Sequence, residues 1–158
     1  MKIIIMLMVI TGLCLNIYAE ESIEQRLFKD LKKEYNLTDA QTYELLGRTY
    51  LHRDKWEEAV IFFDKAVQLD PELYLSWYNL GLLHMDNPEL YLKKAIEANS
   101  KFAPSYYWLA LYYSKGDRIT ESIEYFEEYL KVVDKNDPIE EARIKVAEDY
   151  IKGVRLEE

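Results

Sequence analysis

Cysteine is almost missing from this chain. Its one copy, Cys14, lies inside an apolar run near the start. Removing that run would leave no thiol, so the remainder must hold together by packing rather than by disulfides. Five glycines and four prolines are too few for collagen-like or low-complexity sequence. Histidine occurs twice, as His52 and His84, far from the i, i+4 spacing of a helical zinc pair. No glycine-rich phosphate loop is present, and no serine sits in a nucleophile-elbow context. Positive charge is also short: 20 Lys+Arg against 29 Asp+Glu give −9. Such a surface repels phosphate backbones, so no nucleic-acid partner is expected. What is plentiful is apolar and aromatic residues, 49% and 14% of 158. That supports one packed domain, with too much charge for a multi-span membrane protein.

The first nineteen residues read as an address. Lys2 precedes a wholly apolar run from Ile3 to Val9, which Ile10 to Leu15 extends with only Thr11 and Gly12 interrupting. Ala19 ends it before the acidic Glu20. This is the plan of a secretory signal peptide over 1–19, cut after Ala19, although Ile17 is larger than such sites favour. The stretch falls short of the roughly 20 residues a spanning helix needs. An uncleaved anchor is the alternative, and membrane attachment is expected only through this segment. Leu13 before Cys14 argues against lipidation, which wants a small residue there. Cleavage would remove Lys2 and no acid, taking the charge to −10. The expected location is exported, in the periplasm or cell envelope.

A repeat organises the rest. Tyr43-x-x-Leu46-Gly47-x-x-Tyr50 recurs 34 positions later as Trp77-x-x-Leu80-Gly81-x-x-His84. A third copy, Tyr106-x-x-Leu109-Ala110-x-x-Tyr113, follows after only 29. Ala59, Phe63, Ala66 and Pro71 complete the first copy. The pattern resembles the tetratricopeptide repeat (TPR), with Tyr43 where Trp is usual. The resemblance implies an all-α solenoid of helix–turn–helix units: three repeats at about 40–73, 74–102 and 103–136, the second shortened. Glycine inside a helix costs about 1 kcal/mol against alanine, so Gly47 and Gly81 at one phase imply a close helix crossing. Phe63 should plug the first crossing and Leu92 the second. About five residues are lost around the Met85–Leu90 turn and the start of the second helix, with Pro88 where a small residue is usual. Ser122 and Tyr129 replace the two alanines of the third repeat, and Tyr129 should face the last helix. His84 should pack between helices.

Capping helices should flank the repeats. Ile23, Leu27, Leu31 and Tyr35 make a stripe on 21–35, within an N-terminal segment of 20–37 that would cover the open end of repeat one. Thr38 to Gln41 reads as a capping box opening that repeat. Ile139, Ala142, Val146 and Tyr150 make a second stripe on 138–152, within a C-terminal segment of 137–158. Asp137 and Pro138 should start that helix and Gly153 end it. Glu57-Glu58, Glu127-Glu128 and Glu140-Glu141 fall on exposed phases, which a solvated face explains better than acid–base work. No enzyme and no cofactor are expected.

The resemblance implies that the concave face of the first helices holds a protein or peptide. Spacing reads that face as Gln41, Glu44, Arg48 and His52 on repeat one. On repeat two it is Leu75, Tyr78, Leu82 and Met85, and on repeat three Tyr107, Leu111 and Ser114, with Asn79 and Trp108 at the margin. TPR clamps for acidic chaperone C-termini use Lys, Asn and Arg. Here Glu44, Arg48, Asn79, Pro104 and Trp108 stand at those sites and only Asn79 fits, so that ligand is excluded. An apolar strip over repeats two and three fits an amphipathic helix or an extended apolar segment. The expected function is a non-enzymatic adaptor of the cell envelope. Alternatively the protein is a self-associating structural subunit of an envelope complex, a homo-oligomer anchored by the N-terminal segment, and a second copy or a flanking helix covers the strip.

Overall fold

The computed structural model describes residues 22–84 and 87–157. The expected signal segment, 1–19, and Met85 lie outside the described residues. Eight helices and no strand occur among the described residues: α1 (Ile23–Tyr35), α2 (Asp39–Leu51), α3 (Trp56–Leu69), α4 (Tyr74–Leu83), α5 (Glu89–Ala98), α6 (Ala103–Lys115), α7 (Ile119–Val132) and α8 (Glu141–Glu157). None of them is long and apolar enough to cross a membrane. The chain divides after Thr38 into two units.

Helix α1 belongs to the first unit. Its start is a capping box: Gln25 N–H donates to Ser22 Oγ and Ser22 N–H to Gln25 Oε1, both at 3.1 Å. Asn36 closes it in the left-handed region (φ 52°) and donates its N–H to Lys32 O. Asparagine tolerates that conformation better than most residues.

The second unit is a solenoid of three helix pairs, α2–α3, α4–α5 and α6–α7, each helix packed on the next in sequence and α8 on α7. Local chemistry repeats with the pairs. Asp54 and Asp117 hold left-handed turns (φ 58° and 55°) inside pairs one and three. After them, Lys55 N–H donates to Tyr50 O at 3.1 Å and Arg118 N–H to Tyr113 O at 3.0 Å. At the pair ends, Asp70 accepts from Glu72 N–H, Asn99 from Lys101 N–H and Asp134 from Asn136 N–H, at 2.9–3.1 Å. Trp77 Nε1 donates to Pro71 O at 2.8 Å and Tyr106 OH to Ser100 O at 3.0 Å. The bulky first residue of the motif thus fastens the turn six residues before it.

Each crossing joins a small residue to a plug. A Cβ built on Gly47 would lie 2.8 Å from the Phe63 ring, and one on Gly81 2.8 Å from Leu92 Cγ. Ala110 and Phe126 share one buried cluster in the third pair. Full burial of such side chains contributes about 1.5–3 kcal/mol each. Gly47 and Ala110 precede their plugs by 16 residues, Gly81 by 11. The loss in repeat two therefore falls between its crossing residues, as expected. Helix α5 has 10 residues where α3 and α7 have 14. Sequence reading missed that α4 is shortened too, 10 residues against 13 in α2 and α6. Pro88 is buried at the N-cap of α5.

Glu89, first in α5, binds Lys93 Nζ at 2.6 Å and Arg118 Nη1 at 3.0 Å. Both cations lie over the Tyr113 ring, at 5.9 and 4.2 Å. Burial pushes the Tyr113 phenol up to about 12. His84 stacks on Tyr91 of α5 at 4.8 Å, packed as expected. Ser122 Oγ donates to Ala110 O at 2.9 Å, so the third pair gains a buried hydrogen bond where the first has Ala59.

The last helix differs from its expected bounds. Asp137 takes the Ile139 N–H on its carboxylate (2.9 Å) and the Glu140 N–H on its carbonyl (3.0 Å). That turn holds Pro138 outside the helix, which begins at Glu141. Gly153 does not end it. The described glycines all have negative φ, so Gly153 continues the helix to Glu157. Tyr129 faces this segment as expected: it is fully buried, and its OH donates to Glu140 Oε2 at 2.7 Å. Glu140 is a correction to the solvated-face reading. It also accepts Arg143 Nη1 at 2.7 Å, and its side chain is only 13% exposed.

Candidate binding groove

The first helices α2, α4 and α6 carry the expected groove residues other than His52, which follows α2, and Met85, which lies outside the described residues. The structure sorts them into three groups. Glu44 is half-buried and tied to the neighbouring repeat, accepting Ser76 Oγ at 2.8 Å. Arg48 is exposed on the same helix. Asn79 donates Nδ2 to Leu75 O, one turn back, at 2.7 Å. The one clamp-like residue is thus committed to its own helix. Ser114 likewise donates to Leu111 O at 2.8 Å.

Tyr107 was expected on the open face and is instead core, 9% exposed. It packs on Tyr129 at 5.2 Å and Phe126 at 5.9 Å, with Arg143 of α8 5.7 Å from its ring. Bulky Tyr129, where the repeat pattern has alanine, and the charged start of α8 together close that end. Tyr78 is half-buried and meets Phe102 edge-on at 5.0 Å. Its phenol is pushed up by burial, with the Trp108 indole opposing the shift. Trp108 Nε1 is buried without a hydrogen-bond partner, although that phenol is its neighbour.

Leu82 and Leu111 come together as expected. They face a cavity of about 200 Å³ between α4, α5 and α6, with Leu92, Trp108 and Tyr112 as further walls. Gly81 and Pro88 also line it, and among the described residues Lys115 contributes the one charged side chain. Sequence reading placed Leu82, Trp108 and Leu111 in the groove and missed Pro88 and Leu92, along with Gly81, Tyr112 and Lys115. The signal for the first two was the deletion itself, which places a helix start beside the groove. A second, wider hollow of about 690 Å³ lies between α7 and α8, lined by Leu130, Ile151 and Leu156 and flanked by Arg155 and Glu127. Those two pair at 2.5 Å.

The chain is a solenoid of tetratricopeptide repeats. Two stretches, 40–73 and 103–132, match tetratricopeptide-repeat family models and flank the shortened repeat. Among solved structures, the chain is similar to MamA protein at 28% identity over 84% of this chain and 73% of that one (TM-score 0.61). It is similar to the Yersinia enterocolitica type III secretion chaperone SycD, in complex with a peptide of the translocator YopD, at 13% identity over 77% and 96% (TM-score 0.66). It is also similar to the first TPR of Spaghetti bound to an HSP90 peptide, at 15% identity over 73% and 95% (TM-score 0.61). A search of curated protein sequences found no match.

Proposed function

We propose that the protein is a non-enzymatic interaction module that holds an apolar helix or extended segment of a protein partner along repeats two and three. The observation that carries this reading is the apolar cavity shared by Leu82 and Leu111. Neither residue belongs to the repeat's packing motif, and both remain partly exposed. Two of the fold neighbours hold peptides, which fits the same use of the fold. The partner's site is the cavity and its rim. Tyr107, packed on Tyr129 and Phe126, and Glu44 and Asn79 take no direct part. The apolar pattern of residues 1–19 supports an envelope location, as an exported or anchored adaptor.

The test is capture from an envelope extract by the wild type and by the double variant Leu82→Glu, Leu111→Glu. The variant is expected to lose the captured partner, because burying an unpaired charge costs several kcal/mol, enough to abolish a micromolar complex. Retention of every partner would contradict the reading. Self-association is the second reading, favoured by exposed Ile139, Val146 and Leu156 on the C-terminal segment. Light scattering separates them: a monomer supports the adaptor, a discrete oligomer the structural subunit.

A further inference from the structure

The cavity between α4, α5 and α6 follows from the shortening of repeat two. Helices α3 and α7 carry four more residues than α5. Four residues are about one turn, roughly 6 Å of helix. In repeat two Pro88 ends up at the cavity wall, where an extra turn of α5 would otherwise stand. The hole is small and apolar. Its volume of about 200 Å³ compares with the ~150 Å³ apolar cavity that admits benzene in an engineered protein. It therefore suits one large side chain and excludes a folded helix.

Its charge is equally specific. Lys93 and Arg118, on neighbouring turns, are neutralised by Glu89 and Glu121. Lys115, at the cavity, makes no ion pair among the described residues. On a chain of net charge −9 an uncommitted ammonium beside an apolar hole favours a carboxylate next to the group that fills it. The wall is also short of one hydrogen bond, at Trp108 Nε1.

We propose that this cavity is a specificity pocket for one large apolar side chain of the partner segment, with a carboxylate of that segment on Lys115. The inference rests on the groove reading above and narrows the partner's chemistry to a single large apolar side chain with an adjacent acid. That acid is either a C-terminal carboxylate or an acidic side chain.

The test uses small probes on the ¹⁵N-labelled protein, reading the Trp108 indole resonance, assigned with Trp108→Phe. N-acetyl-leucine is expected to shift it saturably, and N-acetyl-glycine to leave it in place. N-acetyl-leucine amide, without charge, should bind about two- to fivefold more weakly. Lys115→Glu should remove that advantage, and it lies on the surface where folding is insensitive to it. Leu111→Phe should fill the hole and abolish the shift. N-acetyl-Leu-Asp-amide binding above the neutral amide would assign the acid to a side chain, and binding no better would assign it to a C-terminus. No saturable shift with N-acetyl-leucine, an equal shift with N-acetyl-glycine, or a carboxylate advantage that survives Lys115→Glu would overturn the pocket. The probes report on the free protein, so a failed titration leaves the groove reading standing. Partner capture that survives Leu82→Glu, Leu111→Glu overturns the groove reading, and the partner's use of the pocket with it, whatever the probes show.

Discussion

Two contacts between neighbouring first helices occupy the same phase of the repeat and differ in kind. Where α2 meets α4, the fully buried Ser76 donates to Glu44. Where α4 meets α6, Ser105 is equally buried, and its hydroxyl has no partner. The residue one repeat after Glu44 is Tyr78, an aromatic that packs on Phe102 and offers Ser105 no bond. The cavity lies between α4 and α6. The fold is built by repetition, and the candidate site stands where repetition fails. One acidic-to-aromatic exchange and one five-residue loss turn a closed polar contact into an open apolar one.

The strongest way to break the comparison is at the crossing glycines. Leucine at Gly47 or Gly81 is expected to cost about 2–4 kcal/mol by overpacking. Gly47 should stand at the upper end, because its neighbour is the Phe63 ring, while Leu92 beside Gly81 has the cavity to move into. Denaturant midpoints check the order, and an unchanged midpoint for Gly81→Leu would mean that the helix register is wrong. Next come the two serines. Ser76→Ala should cost about 1–2 kcal/mol, since it leaves Glu44 without its buried donor. Ser105→Ala should be neutral or stabilising by up to about 1 kcal/mol, because it deletes an unpaired hydroxyl. Equal losses at both sites would erase the difference between the contacts.

The smallest effect concerns pH. The Lys93 hydrogen bond, with Arg118 assisting, holds the Glu89 carboxyl below its ordinary range. A depressed folded-state value means stability that is present above the unfolded carboxylate value, about 4.3, and lost as pH falls through the folded one. Glu89→Gln should therefore destabilise by up to about 1 kcal/mol near neutral pH, as a partly exposed pair allows. At pH 3 and below, its melt should approach that of the wild type. A constant difference across pH would show that Glu89 acts by packing.

The repeat's own residues made most of the fold legible. Leu46, Gly47, Phe63, Leu80, Gly81 and Leu92 stand where periodicity puts them, because a close crossing leaves few residue types that fit. Helix ends were harder. Asp137 and Pro138 are strong start signals, yet a two-residue turn through the Asp137 carboxylate delays the helix to Glu141. Gly153 was misread because a glycine can end a helix or merely sit in one, and only φ distinguishes them. The groove was half legible. Spacing places Leu82, Trp108 and Leu111 on one side, but whether a side chain is covered depends on what packs over it. Tyr129 and Arg143 cover Tyr107 from outside its own helix, which no spacing within α6 reveals.

Equilibrium unfolding of two double variants bears most directly on the open groove: Leu82→Glu with Leu111→Glu, and Leu80→Glu with Leu109→Glu. Leu80 and Leu109 are completely buried, each two residues before its partly exposed counterpart. The Leu82/Leu111 variant should melt within about 1 kcal/mol of the wild type, as surface changes do. The Leu80/Leu109 variant should not fold, since each glutamate would bury a charge without a partner. If both variants unfold alike, Leu82 and Leu111 are core, and no groove lies open between repeats two and three.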